Sequence, residues 1–153
     1  MTKTIDTASA HPDVIRYVKL LFLTMAGGAI YPLLYLRQNF ELTLLSTFGM
    51  TLSELNVASS ILGTSFFISY IPSGWLADRF SPRALLTFSV GMTGIIGLWY
   101  ATLPAAYWVT LIFGLWGVTT GLTFWAALIK GCTLLAPEHL QARYVGLLEG
   151  GRG

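Results

Sequence analysis

Charge is what this sequence has least of. Lys, Arg, Asp and Glu together make up 10% of its 153 residues, whereas a soluble domain carries about 25%. No Asp, Glu, Lys or Arg occurs between Arg83 and Lys130, and none between Glu54 and Asp78. One membrane crossing takes about 20 mostly apolar residues, so the shorter gap accommodates one helix and the longer gap two. A soluble domain covered by charge is excluded. Cysteine is nearly absent too: Cys132 stands alone, which rules out a disulfide framework within the chain. His11 and His139 lie in opposite polar ends with no cysteine or carboxylate cluster beside them, so no metal site is expected. The sequence has no G-x-x-x-x-G-K-[ST] run, and with it no ATP-driven pump or nucleotide cofactor. A net charge of +2 is too small to suggest a nucleic-acid partner. No nucleophile–base pair or paired carboxylates suggest an enzyme.

What remains is apolar: 54% of the chain is hydrophobic, arranged in runs of hydrocarbon length. Residues 1–16 are polar and read as a cytoplasmic surface tail. The run from Tyr17 is longer than the apolar region of about 7–15 residues in a secretory signal, so it predicts a retained helix over 17–40. The stretch Phe40 to Asn56 is mixed and amphipathic. Thr51-Leu-Ser-Glu54 fits a capping box ahead of a second helix over 55–76. Ser81-Pro82 supplies an N-cap and a first-turn proline for a third over 84–103. Pro104 separates that from a fourth over 107–135. Residues 136–153 read as a short cytoplasmic surface helix, Pro137 to Arg143, followed by the start of a truncated fifth span. The expected fold class is all-α integral membrane, with four transmembrane helices in a lipid bilayer.

Orientation follows from the cations. Of nine Lys/Arg, Lys3, Arg16, Lys19, Arg79, Arg83, Lys130, Arg143 and Arg152 fall on one side and Arg37 alone on the other. Both termini are therefore expected in the cytoplasm, in a multi-pass inner (plasma) membrane protein. Gly27-Gly28, Gly91-x-x-Gly94-x-x-Gly97 and Gly117-x-x-x-Gly121 are expected where helices touch, because small residues let backbones approach in lipid.

The loop Gly74-Trp-Leu-Ala-Asp78-Arg79-Phe-Ser-Pro-Arg83-Ala-Leu-Leu86 resembles the signature G-x-L-a-D-r-x-G-r-[rk]-x-x-l of major facilitator transporters. That signature lies between helices two and three on the cytoplasmic side, where the cation count places this loop. The resemblance implies the first third of a twelve-helix fold. Gly74, Asp78, Arg79 and Arg83 would then form a conformational gate, with Gly74 allowing close helix contact and Asp78 meeting a helix N-terminus or an arginine. Ser81 replaces the family's glycine and Pro82 its basic residue. Asp78-Arg79-Phe-Ser-Pro82-Arg83 is similar to the variant in the organophosphate:phosphate antiporter branch, as is Arg37-Gln-Asn39-Phe40 at the outer end of helix one.

That branch implies that Arg37 binds the anionic group of a substrate, since a guanidinium recognises phosphate or carboxylate bidentately. From the residues alone two readings stand. Arg37 snorkels to the outer interface if helix one ends there, or it is buried and functional if the helix continues through Leu42, Leu44 and Leu45. The branch's helix-two lysine is replaced by Tyr70, which leaves organic anions such as sugar acids, or a polyol-like solute, open as substrates. Helices one, two and four line the cavity in this superfamily, so Tyr31, Tyr35, Gln38, Tyr70, Trp116, Thr120 and Trp125 are further substrate-contact candidates. Lys130 lies near the inner end of helix four, where snorkelling is the simpler role.

The expected function is an N-terminal portion of a secondary transporter for a small organic anion or sugar-like solute. It would work by alternating access with a coupling ion or counter-substrate, and it would be inactive without the missing C-terminal half. Two alternatives carry weight. One is a small four-helix multidrug exporter acting as a dimer, although its proton coupling needs an intramembrane acid and no run contains one near its middle. The other is a non-transporting, truncated membrane protein, in keeping with the abrupt end of the chain.

Overall fold

The computed structural model describes the backbone over residues 10–152 and side chains over 14–151. Every element is helical; among the described residues there is no strand. Four segments are long and apolar enough to cross a membrane: Val14–Phe48, Leu52–Arg79, Pro82–Ala101 and Ala106–Leu135. The tail expected over residues 1–16 lies outside the described residues up to residue 9, and from Ala10 it is helix.

The first span is broken, and the breaks shape the site described below. Helix α1 (Ala10–Leu34) contains Pro32 and is followed, after Tyr35, by α2 (Leu36–Phe48). Proline lacks the N–H that would bond back to the preceding turn, and its ring crowds the carbonyl four residues earlier. Tyr35 leaves helical geometry at φ −102°, ψ 14°, and Phe40 leaves it again at φ −133°, ψ 28°. The chain stays helical to Phe48, beyond the expected end near residue 40, and stops at Gly49, whose φ of 60° makes it a left-handed cap.

The remaining starts follow local chemistry. Thr51 and Glu54 exchange hydrogen bonds as a capping box at the head of α3 (Leu52–Arg79). The Ser81 hydroxyl accepts from the Ala84 amide to open α4 (Pro82–Ala101), with Pro82 in its first turn. The fourth span is α5 (Ala106–Thr119), a π-helical turn (Thr120–Phe124) and α6 (Trp125–Leu135). A 3₁₀ turn, Glu138–Leu140, stands where a short surface helix was expected, and it leads into α7 (Gln141–Arg152). This last helix is more than a surface segment: Tyr144 and Leu148 are buried, and Tyr144 stacks on Tyr17 of α1 at 5.5 Å.

Glycine sorts the helix contacts. A Cβ added at Gly121 would lie 2.6 Å from the Phe66 carbonyl oxygen, and one at Gly117 would press on the Leu62 carbonyl of the same helix. Here α3 meets α5 and the π turn that follows it backbone to backbone. Among the described residues, an added Cβ at Gly28, Gly74, Gly91, Gly94 or Gly97 would meet nothing within 4 Å.

Candidate functional site

Arg37 and Glu41 sit one turn apart on α2, on either side of the break at Phe40, and Arg37 Nε donates to Glu41 Oε2 at 3.3 Å. With Leu34, Gln38, Ser59, Leu62 and Phe113 they line a cavity of about 470 Å³ between α2, α3 and α5. Leu62 lies about 15 Å along α3 from its N-terminal end at Leu52, and Phe113 about 10 Å along α5 from Ala106, at ~1.5 Å per residue. The pair therefore lies beside the interior of these two long apolar helices rather than at their ends.

The pair is satisfied yet open. Arg37 and Glu41 side chains keep 33% and 42% of their surface exposed. Among the described residues the only partner of the Arg37 guanidinium is Glu41, through Nε, so the two terminal nitrogens of its planar fork are available for an oxyanion. A charge at membrane depth is costly and is normally paired or set in a water-filled cavity. Here Arg37 is paired with Glu41 and lines a cavity. Discontinuous helices of this kind surround the substrate sites of many transporters, because the break frees polar groups inside the bundle.

The other predicted contacts divide. Tyr31 and Tyr35 stack at 4.1 Å on the approach to Arg37, and Gln38 lines the cavity itself. Tyr70 stacks on Phe66 roughly 12–17 Å further down α3 than Leu62 and Ser59, away from the pair. Trp116 and Thr120 are fully buried, and they face α4 and their own helix rather than the cavity. Trp116 Nε1 donates to the Thr93 carbonyl at 3.3 Å, and the Thr120 hydroxyl donates to the Trp116 carbonyl at 2.6 Å. The Trp116 bond ties α5 to α4, and the Thr120 bond stays within its own helix. Trp125 packs against Phe124 at the end of the π turn.

At the other end of the bundle, the expected gate has a cation that sequence reasoning did not pair with it. Lys130 Nζ donates to Asp78 Oδ1 at 3.2 Å and to the Ala77 carbonyl at 2.6 Å. It thus caps the C-terminus of α3, where the last carbonyls lack partners. Among the described residues, the ion-pair partner of Asp78 is this lysine. Arg79 lies over the Trp75 ring at 4.3 Å. Arg83 lines a groove with Lys19, Ser81 and Pro82.

Glu41 was also missed as an intramembrane acid. With helix one read as ending near residue 40, it fell outside the span; the continuation to Phe48 puts it inside. Lys130 and Asp78 are too far apart in sequence for any local pattern to couple them.

Four hydrocarbon-length helices, with Lys130 of α6 ion-paired to Asp78 at the end of α3, are the architecture of a multi-pass membrane protein. The sequence pattern of the Major Facilitator Superfamily matches residues 7–153, and the chain belongs to that superfamily. It is 32% identical over 143 residues to the inner membrane protein YqcE of Escherichia coli (strain K12), covering 94% of this chain and 34% of that protein. The inner membrane protein YihN of the same organism is 30% identical over 131 residues, 86% of this chain and 31% of that protein. An uncharacterised protein of Mycoplasma pneumoniae is 31% identical over 98 residues, 62% of this chain and 75% of that protein. The chain thus spans about a third of the length of the two Escherichia coli relatives. No solved structure matches it.

Proposed function

We propose that these 153 residues form one wall of a secondary transporter that carries a small organic anion by alternating access, with Arg37 as the anion-binding group. The observation that carries the proposal is an arginine set between two backbone breaks and lining a cavity, with its two terminal nitrogens free among the described residues. The Arg37-x-Asn39-Phe40 and Asp78-Arg79-x-x-Pro82-Arg83 motifs favour a place beside the organophosphate:phosphate antiporters. Tyr70 in place of that branch's lysine, and Glu41 beside Arg37, favour a carboxylate such as a sugar acid over phosphate. Tyr31, Tyr35 and Gln38 would flank the bound solute.

Major facilitator sites lie between two halves of the protein, so further helices would complete the cavity and transport would need them. The greater length of the Escherichia coli relatives supports this. The cation distribution favours termini on the cytoplasmic side. Asp78, Arg79 and Arg83, with Lys130, would act there as a gate whose ion pair breaks and re-forms between conformations.

The test is scintillation-proximity binding of radiolabelled gluconate, glucuronate, lactate and phosphate to the purified chain in lipid nanodiscs. Saturable binding of at least one carboxylate, lost in Arg37→Gln, is the expected result. Equal binding by Arg37→Gln, or none by the unaltered chain, would remove the basis of the proposal. Liposomes holding this chain alone should show no uptake, and uptake by them would contradict the shared-wall reading.

A further inference from the structure

The end of the bundle that carries the family loop has a second charged feature, set apart from Arg37. Lys19 of α1 and Arg83 of α4 stand exposed on the rim of a groove of about 550 Å³. Other cations nearby are engaged: Lys130 with Asp78, and Arg79 with the Trp75 ring. Among the described residues neither Lys19 nor Arg83 has an ion-pair partner.

Below this rim the groove turns apolar. Phe22 and Leu23 line it from α1 and Leu86 from α4. Gly131 of α6 forms the floor, where an added Cβ would touch both Leu23 and Pro82 at 3.6 Å. A second hollow, of about 620 Å³, shares Phe22, Leu23, Arg83 and Leu86 with the first and continues to Val90 and Gly91. The two are therefore one groove along the α1–α4 seam. From Arg83 to Gly91 is about 12 Å of helix, and from Lys19 to Ala26 about 10 Å, at ~1.5 Å per residue. One leaflet supplies half of a hydrocarbon core of ~30 Å, so the groove runs through most of its depth.

We propose that the α1–α4 groove is a binding site for one anionic phospholipid, with its phosphate diester against Lys19 and Arg83 and an acyl chain along Phe22, Leu86 and Val90. A guanidinium takes phosphate oxygens in pairs, and basic pockets between membrane helices suit anionic headgroups. Free phosphate would satisfy the two cations and leave the apolar groove empty. A helix of the longer protein would fill the groove and leave the cations unmatched. An anionic lipid does both. Under the orientation that the cation distribution favours, it comes from the cytoplasmic leaflet. The site is separate from the Arg37 cavity and stands whether or not Arg37 binds a solute.

The purified chain in mild detergent is incubated with phosphatidylglycerol or phosphatidylcholine of identical acyl chains, and retained lipid is counted by native mass spectrometry. The unaltered chain should retain one phosphatidylglycerol, preferred over phosphatidylcholine by roughly fivefold for each cation engaged. Lys19→Gln combined with Arg83→Gln should bring the two lipids to parity. Arg143→Gln should leave the preference unchanged, because this residue lies at the same end of the bundle, beside the Tyr144–Tyr17 stack, but outside the groove. Gly91→Leu adds a side chain to the groove where a new Cβ meets nothing within 4 Å, and it should cut retention severalfold with both cations in place. Thermal unfolding followed at Cys132 checks that each variant folds. A preference that survives the double substitution, or that Arg143→Gln removes equally, would overturn the site. Equal retention of the two lipids by the unaltered chain would also overturn it, and would mark an apolar face for a helix of the longer protein. Retention indifferent to Gly91→Leu, with the lipid displaced by excess glycerol 3-phosphate, would overturn the lipid in favour of a soluble anion.

Discussion

Replacing Gly121 by alanine adds one methyl group and should loosen the bundle more than its size suggests. The new Cβ would lie 2.6 Å from the Phe66 carbonyl oxygen and 3.0 Å from its Cα. Ordinary contact begins near 3.4 Å, so α3 and α5 must separate by several tenths of an ångström or more along their whole seam. Backbone atoms cannot rotate away as a side-chain tip can. Overpacking of this kind costs about 1–3 kcal/mol, and the separation also weakens dispersion contacts at Gly117, one turn away. The matched control is Gly94→Ala: nothing lies within 4 Å of its added Cβ, and alanine is the better helix former by up to ~1 kcal/mol. The assay is built in, because Cys132 is the only cysteine and is buried. A thiol-reactive dye that fluoresces on reaction reports its exposure during heating in detergent. At about 2–4 °C per kcal/mol for a chain of this size, Gly121→Ala should melt several degrees below the unaltered chain and Gly94→Ala at or above it. The reverse order, or no difference, would refute the assignment of this seam.

Further outcomes follow from the same geometry. Pro32→Ala should leave the melting point unchanged or raise it, since the lost helical bond in α1 can form. It should also weaken anion binding, because straightening the helix re-aims Arg37; binding and melting measured on one sample check both. Asp78→Asn removes an ion pair whose acid is 82% exposed, so its cost should be small, about 0–1 kcal/mol. Lys130→Met also uncaps the Ala77 carbonyl and should melt lower than Asp78→Asn by the Cys132 assay. Trp116→Phe should lower stability by about 0.5–1.5 kcal/mol through loss of the indole bond to the Thr93 carbonyl, with anion affinity unchanged. A loss of affinity without a loss of stability would return Trp116 to the cavity.

What could be read from the sequence was what local chemistry decides. The Thr51–Glu54 box and the Ser81 cap begin α3 and α4 because a short polar side chain satisfies free helix amides wherever it occurs. Charge-free length marked the spans, and the family loop pointed to the right class of protein. Facing could not be read. In a helix that is apolar all round, no stripe tells the packed side from the open one, and so the full burial of Trp116 and Thr120 could not be read. Small residues likewise mark where backbones can approach, not where they do: Gly117 and Gly121 meet α3, whereas Gly74 and Gly94 meet nothing. The end of helix one was obscured because Arg37, Asn39 and Glu41 look like an exit from the membrane. A charged pair that is satisfied within one turn can stay inside it.

The transport function proposed for this protein depends on Arg37 opening into a hydrated, anion-attracting cavity at hydrocarbon depth. With Cys132 replaced by serine, a single cysteine at Ser59, which lines that cavity, can be probed with small charged methanethiosulfonate reagents. The cysteine should react, faster with the anionic reagent than with the cationic one, and Arg37→Gln should remove that preference. A cysteine that stays unreactive, or a charge preference indifferent to Arg37, would contradict the account.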